Sequence, residues 1–277
     1  MEDIKKSQSI SELRSVYDMM SLKGKKALVT GAAGGIGRTT ATALAEVGAD
    51  VALMDIPAKQ DLLEEYCQQI ADLHNVRTIP VTGDVSTPDT VATFMAEIEK
   101  EFGTLHVVHN NAGVALPGDD SDIPYETYNQ YVAINQTGVL LVMQASANMM
   151  KKNGNGGSII NTASISAHII NRGRPGIDRN CPGYPSVKAA VKHMTRAMAA
   201  EYVDDNIRVN SISPGYIVSG LHDEWEVELL EWFASTVPMG RLGQLDELMG
   251  VIVYLASDLS TYATGTDIII DGGYTIW

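Results

Sequence analysis

The 277-residue sequence has little cysteine, a shortage of basic side chains and no long apolar run. Its two cysteines, Cys67 and Cys181, are too few for a disulfide framework and fit a reducing compartment, so we expect a cytoplasmic protein. Lys and Arg total 20 against 34 Asp and Glu, which gives a formal charge of −14. Because a surface of that sign repels phosphate backbones and anionic membranes, no nucleic-acid partner is expected.

Membrane segments and metal-binding motifs are also missing from the sequence. No stretch approaches the roughly 18 to 20 uninterrupted apolar residues of a membrane helix, and the first 22 residues contain no signal-peptide core. We therefore expect no membrane partner. The six histidines form no HExxH motif and no Cys/His cluster, so no metal site is expected.

The hydrophobic content, 45%, is sufficient for the core of a large globular domain. From Lys26 onward, short apolar runs alternate with longer segments of helical period, and this alternation implies a parallel sheet because parallel neighbours need crossover connections. The pattern predicts a doubly wound Rossmann-type α/β fold of about seven strands. One domain is expected over residues 23–277, after an extension over residues 1–22. The predicted strand segments are KALVT, DVALMD, VRTIPVTGDV, LHVVHNNAG, GSIINTAS, IRVNSISPG and TDIIIDGG. Helices are predicted at 38–48, 60–73, 89–102, 184–202 and 246–257, with another long one ending near residue 150.

The segment TGAAGGIG, at residues 30–37, follows the first predicted strand and contains four glycines. Its spacing differs from the common dinucleotide fingerprint G-x-G-x-x-G. Gly31 allows a sharp turn, and Gly35 and Gly37 allow the chain to pass near a pyrophosphate and the next helix to start near the sheet. That helix would present unpaired N–H groups to phosphates. The segment therefore predicts a nucleotide loop, although a glycine-rich turn without a ligand has the same composition.

Acidic side chains follow the second and third predicted strands, at the edge where such sheets bind ligands. Asp55 is placed to accept hydrogen bonds from the ribose hydroxyls of adenosine. Its charge would repel a 2′-phosphate, and neither Gly34 nor Ile56 offers a basic group, so NAD(H) is favoured over NADP(H). The alternative is that Asp55 only starts a turn. Asp84 is predicted to bind the adenine amino group, and the small residues of NNAG (110–113) allow the backbone near the cofactor.

The segment YPSVK places Tyr184 and Lys188 four residues apart on one helix face. A neighbouring ammonium group and a positive nicotinamide ring stabilise a phenolate, so they are expected to lower the pKa of Tyr184 and make it an acid/base. Such a pair is also common on ordinary helix surfaces. Ser164 is predicted to hold the substrate oxygen beside Tyr184. Asn135 is a polar amide among apolar neighbours, which is consistent either with a functional role or with a side chain satisfied by backbone.

Together these residues resemble the single-domain short-chain dehydrogenase/reductase family, from about Lys23 to Trp277. The resemblance rests on TGAAGGIG, Asp55, GDV, NNAG, Asn135, Ser164, YPSVK and SPGYIVS in the family's usual order. It implies that Tyr184 donates and accepts the proton, Ser164 binds the carbonyl, Lys188 modifies the pKa and binds the nicotinamide ribose, and Asn135 holds a water of the proton relay. The cofactor contacts that it implies are Gly31, Gly34, Gly35, Ile36, Gly37, Asp55, Asp84, Val85, Asn111, Ala112, Gly113, Tyr184, Lys188, Pro214, Gly215, Ile217 and Ser219.

The sequence departs from the family pattern in three places. His106 and His109 occupy strand positions that are often Asp and Val. The interval between Ser164 and Tyr184 is longer than usual, and it contains Arg172, Arg174 and Arg179, which are expected either to bind an anionic substrate group or to pair with local acids. The third departure is the extension before the first strand.

Within the family, the segments SISAHI and TGTDIIIDGGYTIW are similar to those of sugar and polyol dehydrogenases. The expected activity is therefore NAD-dependent oxidation of a secondary alcohol, or reduction of the ketone, on a sugar, polyol or sugar acid. A hydroxysteroid-type dehydrogenase is the alternative, and a module that binds NAD without turnover is a third reading. The resemblance also implies a homotetramer, with Val187, Ala190, Val191, Met194, Ala197 and Met198 packing partly against a neighbouring subunit.

Overall fold

The protein is described by a computed structural model covering residues 8–116, 122–154, 156–171, 182–220 and 227–276. Its strands are β1 (Lys26–Thr30), β2 (Asp50–Asp55), β3 (Thr78–Thr82), β4 (Val107–Asn110), β5 (Gly157–Thr162), β6 (Ile207–Pro214) and β7 (Asp267–Ile270). The α-helices of the described residues are α1 (Val16–Met20), α2 (Gly35–Glu46), α3 (Gln60–His74), α4 (Pro88–Phe102), α5 (Tyr125–Tyr131), α6 (Val139–Asn153), α7 (Gly183–Tyr202), α8 (Val227–Thr236) and α9 (Met249–Ala256).

The seven strands form one sheet in the order β3-β2-β1-β4-β5-β6-β7. Every neighbouring pair is parallel. The strand order reverses between β1 and β4, so the loops after these strands open a crevice at the carboxyl edge of the sheet. The predicted doubly wound, single-domain Rossmann-type fold is confirmed.

Two apolar layers cover the two faces of the sheet. Alternate residues of a strand point to opposite faces, so Leu28 packs into one layer while Ala27 and Val29 pack into the other. The first layer holds buried side chains of α4 and α6, and the second holds those of α2, α3 and α9. These layers fix the strand ends that carry the functional residues.

The long helix predicted to end near residue 150 is interrupted. Residues Val132–Gly138 form a π-helical segment between α5 and α6. Its hydrogen bonds span one more residue than those of an α-helix, and such segments occur often at functional sites. Asn135 lies inside this segment and is fully buried.

The start of the described chain folds over the body of the domain. Helix α1 contacts the short 3-10 turn at Asp258–Ser260, and Arg14 forms an ion pair with Asp258 at 2.7 Å. No helix of the described residues is long and apolar enough to cross a membrane.

Candidate active site

The glycine-rich segment forms a tight turn between β1 and α2. Gly31 has a φ of +66°, a conformation that strongly favours glycine. Helix α2 begins at Gly35, and the N–H groups of its first turn therefore have no acceptor within the helix. They lie beside a cleft of about 770 Å³ at the carboxyl edge of the sheet. A helix N-terminus in that position favours a negatively charged ligand.

The glycines of this segment are needed for different reasons. A Cβ atom on Gly35 would lie 2.2 Å from the Ser219 carbonyl oxygen, and one on Gly37 would lie 2.1 Å from that of Gly31. These two residues are therefore required by packing of the chain against itself. Gly34 is exposed and has only one neighbour, at 3.4 Å, so it leaves open the side that faces the cleft.

Asp55 and Asp84, which were expected to bind the adenosine half of the cofactor, also accept hydrogen bonds from the chain's own backbone. Asp55 lines the cleft, but its Oδ2 accepts a hydrogen bond from the Ala33 N–H at 3.0 Å and its Oδ1 accepts one from the Ile56 N–H at 2.8 Å. The carboxylate therefore braces the glycine-rich turn while facing the ligand space. Asp84 also lines the cleft, and its Oδ1 accepts from the Ser86 N–H at 2.8 Å.

Sequence reasoning missed a basic side chain in this part of the cleft. Arg38, in the first turn of α2, lines the same cleft as Asp55 and Ile56. The guanidinium donates to the Tyr66 hydroxyl at 3.0 Å and stacks on that ring at 5.8 Å from the centroid. The pair of Arg38 and Tyr66 is 28 residues apart in sequence, so only the packing of α2 against α3 brings it together.

The loop after β4 is tied to β1. The Thr30 hydroxyl accepts hydrogen bonds from the backbone N–H groups of Asn111 and Ala112 at 3.1 and 3.0 Å. The Asn111 side-chain amide donates to the carbonyl oxygens of Thr30 and Gly31 at 3.2 and 3.3 Å. These bonds fix the backbone of Asn111, Ala112 and Gly113 along the cleft that they line.

Tyr184 and Lys188 lie together in the cleft, and Ser164 lies beside Tyr184. Both Tyr184 and Lys188 project from the first turns of α7 and line the cleft. The Lys188 Nζ lies 5.6 Å from the Tyr184 ring centroid and donates to the Thr162 carbonyl oxygen at 2.8 Å. Ser164, immediately after β5, hydrogen-bonds to the Tyr184 phenol. The helix and strand therefore bring together a phenol, an ammonium group and a hydroxyl.

Burial dominates the ionisation of these groups. It raises the pKa of Tyr184 above its ordinary value, against the opposing effect of the Ser164 hydrogen bond. Burial also lowers the pKa of Lys188 to about 8. In the protein alone, the pKa of Tyr184 is therefore raised rather than lowered as expected, because desolvation of the phenolate outweighs its stabilisation by neighbouring groups.

Asn135 is bound to the loop that follows β4. Its Oδ1 accepts from the Val114 N–H and its Nδ2 donates to the Val114 carbonyl oxygen, both at 2.8 Å. A Cβ atom on Gly113 would lie 2.6 Å from the Asn135 Oδ1. The Asn135 amide is therefore satisfied by backbone, and the π-helical segment turns it toward that loop. A catalytic role for Asn135 stays a prediction.

The remaining predicted cofactor residues divide into two groups. Gly31, Gly34, Gly35, Ile36, Val85 and Ser219 line the cleft. Pro214 ends β6, and the Gly215 N–H donates to the Ile270 carbonyl oxygen at 2.9 Å. Ile217 pairs with Gly243 and lines a second, smaller cavity of about 200 Å³ rather than the main cleft.

A chain of polar side chains leads away from Ser164. The Ser164 hydroxyl donates to that of Ser166 at 3.2 Å, and Ser166 donates to the Asn171 Oδ1 at 2.8 Å. The Asn171 amide donates to the Tyr216 hydroxyl at 3.1 Å. Tyr216 lies between the rings of Phe233 and Tyr274, at centroid distances of 4.6 and 5.2 Å. The serines of SISAHI were the available signal, but the partners could not be found from spacing.

The two unexplained histidines lie in different places. His106 precedes β4 at the opposite edge of the sheet, and its Nδ1 accepts from the Lys26 N–H at 3.0 Å. His109 is fully buried inside β4, with its Nε2 at 2.8 Å from the Thr162 hydroxyl oxygen. Arg172, Arg174 and Arg179 lie outside the described residues. Within the described ranges, no group of three or more His, Cys, Asp or Glu side chains could hold a metal ion.

Comparisons with known proteins give the same family throughout. A family model described as enoyl-(acyl carrier protein) reductase matches residues 31–275. A sorbose reductase of Candida albicans is 38% identical over 263 residues, covering 94% of this chain and 90% of its own. A probable NADP-dependent mannitol dehydrogenase of Yarrowia lipolytica is 36% identical over 263 residues, covering 94% of this chain and 91% of its own. The crystal structure of a short-chain type dehydrogenase/reductase from Mycobacterium marinum superposes with a TM-score of 0.88 at 41% identity, covering 94% of this chain and 99% of that one.

The chain therefore belongs to the short-chain dehydrogenase/reductase family. Members of this family use a nicotinamide cofactor, and the named relatives act on sugars and polyols. The protein is an oxidoreductase that interconverts alcohol and ketone groups.

Proposed function

We propose that the protein transfers a hydride between NAD(H) and the secondary alcohol or ketone of a sugar, polyol or sugar acid. The observation that carries the reaction is that Tyr184 and Lys188 line the cleft that begins at the N-terminus of α2, with Ser164 beside the phenol. A phenol held between a hydroxyl and an ammonium group is suited to moving one proton to or from a bound oxygen.

The cleft fits a dinucleotide at both ends. The first turn of α2 would hold the pyrophosphate, and Asp55 and Asp84 would bind the adenosine half. The loop 111–113, Tyr184 and Lys188 would enclose the nicotinamide half. When bound, the cofactor supplies or accepts the hydride.

The chain's own residues would handle the proton. Ser164 would redirect its hydroxyl proton from Ser166 to the substrate oxygen and so orient that oxygen. Tyr184 gives its hydroxyl proton to the same oxygen in reduction and takes one in oxidation. Lys188, held by the Thr162 carbonyl oxygen, presents its charge beside the phenol and binds the nicotinamide ribose. Asn135 anchors the Val114 backbone and would order a water of the relay to solvent.

A polyhydroxylated substrate is favoured over a steroid by the polar chain beyond Ser164. Ser166, Asn171 and the Tyr216 hydroxyl offer donors and acceptors next to the proposed carbonyl binder. These groups are already paired within the chain, and a substrate hydroxyl could exchange with one of those hydrogen bonds, which an apolar ring system cannot do. The sorbose and mannitol relatives support the same substrate class.

The preference for NAD(H) rests on the Asp55 carboxylate, which would accept from ribose hydroxyls and repel a 2′-phosphate. Arg38 lies in the same part of the cleft and would oppose that repulsion. Because the Arg38 guanidinium is already engaged with Tyr66, we assign the decision to Asp55.

The remaining parts of the proposal concern assembly and location. We propose that residues 23–277 form the catalytic domain, that four copies assemble, and that the protein works in the cytoplasm. The low cysteine content supports the last point.

The test is absorbance at 340 nm with NAD and NADP, on matched panels of polyols, sugars, sugar acids and hydroxysteroids. We expect turnover of at least one polyhydroxylated substrate with NAD. Tyr184→Phe should lower that turnover by about 10²–10⁴-fold, the usual range for general acid–base catalysis, while NADH binding is retained.

Each part of the proposal can fail separately in this experiment. Turnover of hydroxysteroids alone would overturn the substrate class. Tight NADH binding without turnover of any substrate would indicate a sensing module. More than a tenth of the wild-type turnover in Tyr184→Phe would overturn the role of the phenol.

A further inference from the structure

The buried imidazole of His109 has a single hydrogen-bonding neighbour among the described residues. The side chain lies in the central strand β4, between Val29 of β1 and Ile160 of β5, and is fully buried. Its Nε2 is 2.8 Å from the Thr162 hydroxyl oxygen. Its Nδ1 is buried and has no partner among the described residues.

The Thr162 hydroxyl joins His109 to the cofactor loop. Thr162 has one hydroxyl proton and two close neighbours, the His109 Nε2 and the Asn111 Oδ1 at 3.3 Å. The Asn111 Oδ1 can only accept, because the amide nitrogen of that side chain donates to the carbonyl oxygens of Thr30 and Gly31. Thr162 therefore donates to Asn111, and the proton between Thr162 and His109 must come from the imidazole Nε2.

Neutral imidazole is the form that this environment requires. Burial, together with the nearby Lys188 charge, lowers the pKa of His109 to about 3. A neutral ring with its proton on Nε2 leaves Nδ1 bare and adds no second positive charge beside Lys188.

The same threonine also holds Lys188. The Lys188 Nζ donates to the Thr162 backbone carbonyl oxygen at 2.8 Å. One residue at the end of β5 thus contacts the proposed nicotinamide-ribose ligand through its carbonyl group, and the loop 111–113 through its hydroxyl group. Fixing that hydroxyl fixes the contact with Asn111, whereas the carbonyl group is oriented by the pairing of β5 with β6.

We propose that His109 is a positioning residue, whose Nε2–H holds the Thr162 hydroxyl so that Asn111 and the loop 111–113 stay in place beside the nicotinamide half of the cofactor. This inference rests on the proposed function. It concerns the loop 111–113, whereas Asp55 and Asp84 would bind the adenosine half, so a comparison of NADH with ADP-ribose tests the two halves separately.

The tautomer can be observed without any activity measurement. Nitrogen-15 NMR of protein labelled on histidine, compared with His109→Gln to assign the resonance, should show one imidazole with its proton on Nε2. That resonance should not titrate between about pH 5.5 and 8.5, because burial disfavours the charged ring. A proton on Nδ1, or an imidazolium form in that range, would overturn the proposal.

Binding measurements test the positioning role. His109→Val removes both ring nitrogens, and we expect the dissociation constant of NADH to rise about threefold to tenfold, the effect of one hydrogen bond. ADP-ribose lacks the nicotinamide and reports on the other half of the cleft, so its affinity should stay within about twofold. His109→Gln, whose amide nitrogen can reach the position of Nε2, should restore most of the NADH affinity.

A double-mutant cycle excludes a general effect of altering the core. Thr162→Val removes the acceptor of the same bond, so the losses in NADH affinity of His109→Val and Thr162→Val should be clearly less than additive when combined. Additive losses, or equal weakening of NADH and ADP-ribose, would overturn the inference. If the wild-type protein bound neither NADH, NADPH nor ADP-ribose, the proposed function itself would fail.

Discussion

Lys188 is a cation enclosed by protein, with 3% of its surface exposed. Its pKa is lowered to about 8, against an ordinary value of about 10.4 in an unfolded chain. Between these values the unfolded chain binds a proton that the folded chain does not, so stability should rise with pH over this window. The cost of burying the charge is fully present below pH 8 and is about 3 kcal/mol.

Lys188→Met is therefore expected to stabilise the protein at pH 7 while removing its activity. Loss of the hydrogen bond to the Thr162 carbonyl oxygen offsets about 1 kcal/mol, which leaves a net gain of about 1–2 kcal/mol. Urea unfolding at pH 7 and at pH 10 should show that the gain disappears at the higher pH. Lys100→Met, at an exposed position of α4, is the control and should show no such pH dependence. A variant less stable than wild type at pH 7 would contradict this account of Lys188.

Asp55 combines two tasks, because its carboxylate accepts from the Ala33 N–H and also faces the ligand space. Asp55→Ala should relax the preference for NAD over NADP by one to two powers of ten, about 1–3 kcal/mol, as expected for bonds to a charged group. The measurement is the ratio of kcat/KM values with the two cofactors. A wild-type enzyme that already prefers NADP(H) would show that this reading of the strand end is wrong.

Asp55→Asn separates the effect of the negative charge from that of the hydrogen bond to the Ala33 N–H. The amide oxygen of Asn can still accept from the Ala33 N–H, but the negative charge is gone. If repulsion of the 2′-phosphate decides the preference, both variants should relax it equally. Only Asp55→Ala should also lower the melting temperature of the cofactor-free protein, because it alone leaves the loop without its acceptor.

At the scale of the elements, strands were the easiest features to predict. The segments KALVT and DVALMD coincide with β1 and β2, because a buried parallel strand leaves an uninterrupted apolar run between turn residues. The start of α2 at Gly35 lies three residues before the predicted start, since helix ends depend on capping rather than on the apolar period. The proposed functional residues could be predicted because they follow directly after predicted strands, where ligands bind in a parallel sheet of this kind.

Other features of the site depend on contacts that no local pattern records. The segment 132–138 contains several weak helix formers, but such residues do not distinguish a π-helical turn from a loop or a frayed helix, so its wider hydrogen bonding could not be predicted. Arg38 was missed because the direction of its side chain depends on the rotation of α2 and on Tyr66 of the next helix. Asn171 meets Tyr216 across 45 residues of sequence, and that meeting requires the finished fold.

At the scale of the whole molecule, α7 presents both a core face and an outer face. Val187 and Val191 are buried in the chain's own core, Ala190, Met194 and Met198 are half-buried, and Ala197 is exposed. If four copies assemble, light scattering should give a mass about four times that of the 29.8 kDa chain. Ala197→Arg should then shift the protein to smaller assemblies, because a charge buried at an interface without a partner is strongly unfavourable.

Ala96→Arg, at an exposed position of α4, is the matched control and should leave the mass unchanged. A single chain at micromolar concentration would contradict the proposed assembly. An unchanged mass in Ala197→Arg would show that this part of α7 is not the contact surface.

The widened turn between α5 and α6 also bears on how the site is inherited. Its hydrogen bonds enclose one residue more than those of an ordinary helix, so loss of a single codon within 136–138 would let the two helices join as one. Each residue advances an α-helix by about 100°, and the Asn135 side chain would swing away from Val114 by that angle. Helix α6 could keep its apolar side on the sheet throughout. A protein with this deletion would keep the fold but lose the contact of the Asn135 amide with the loop at Gly113. A one-residue deletion in this segment is therefore an evolutionary route to loss of activity without loss of the fold.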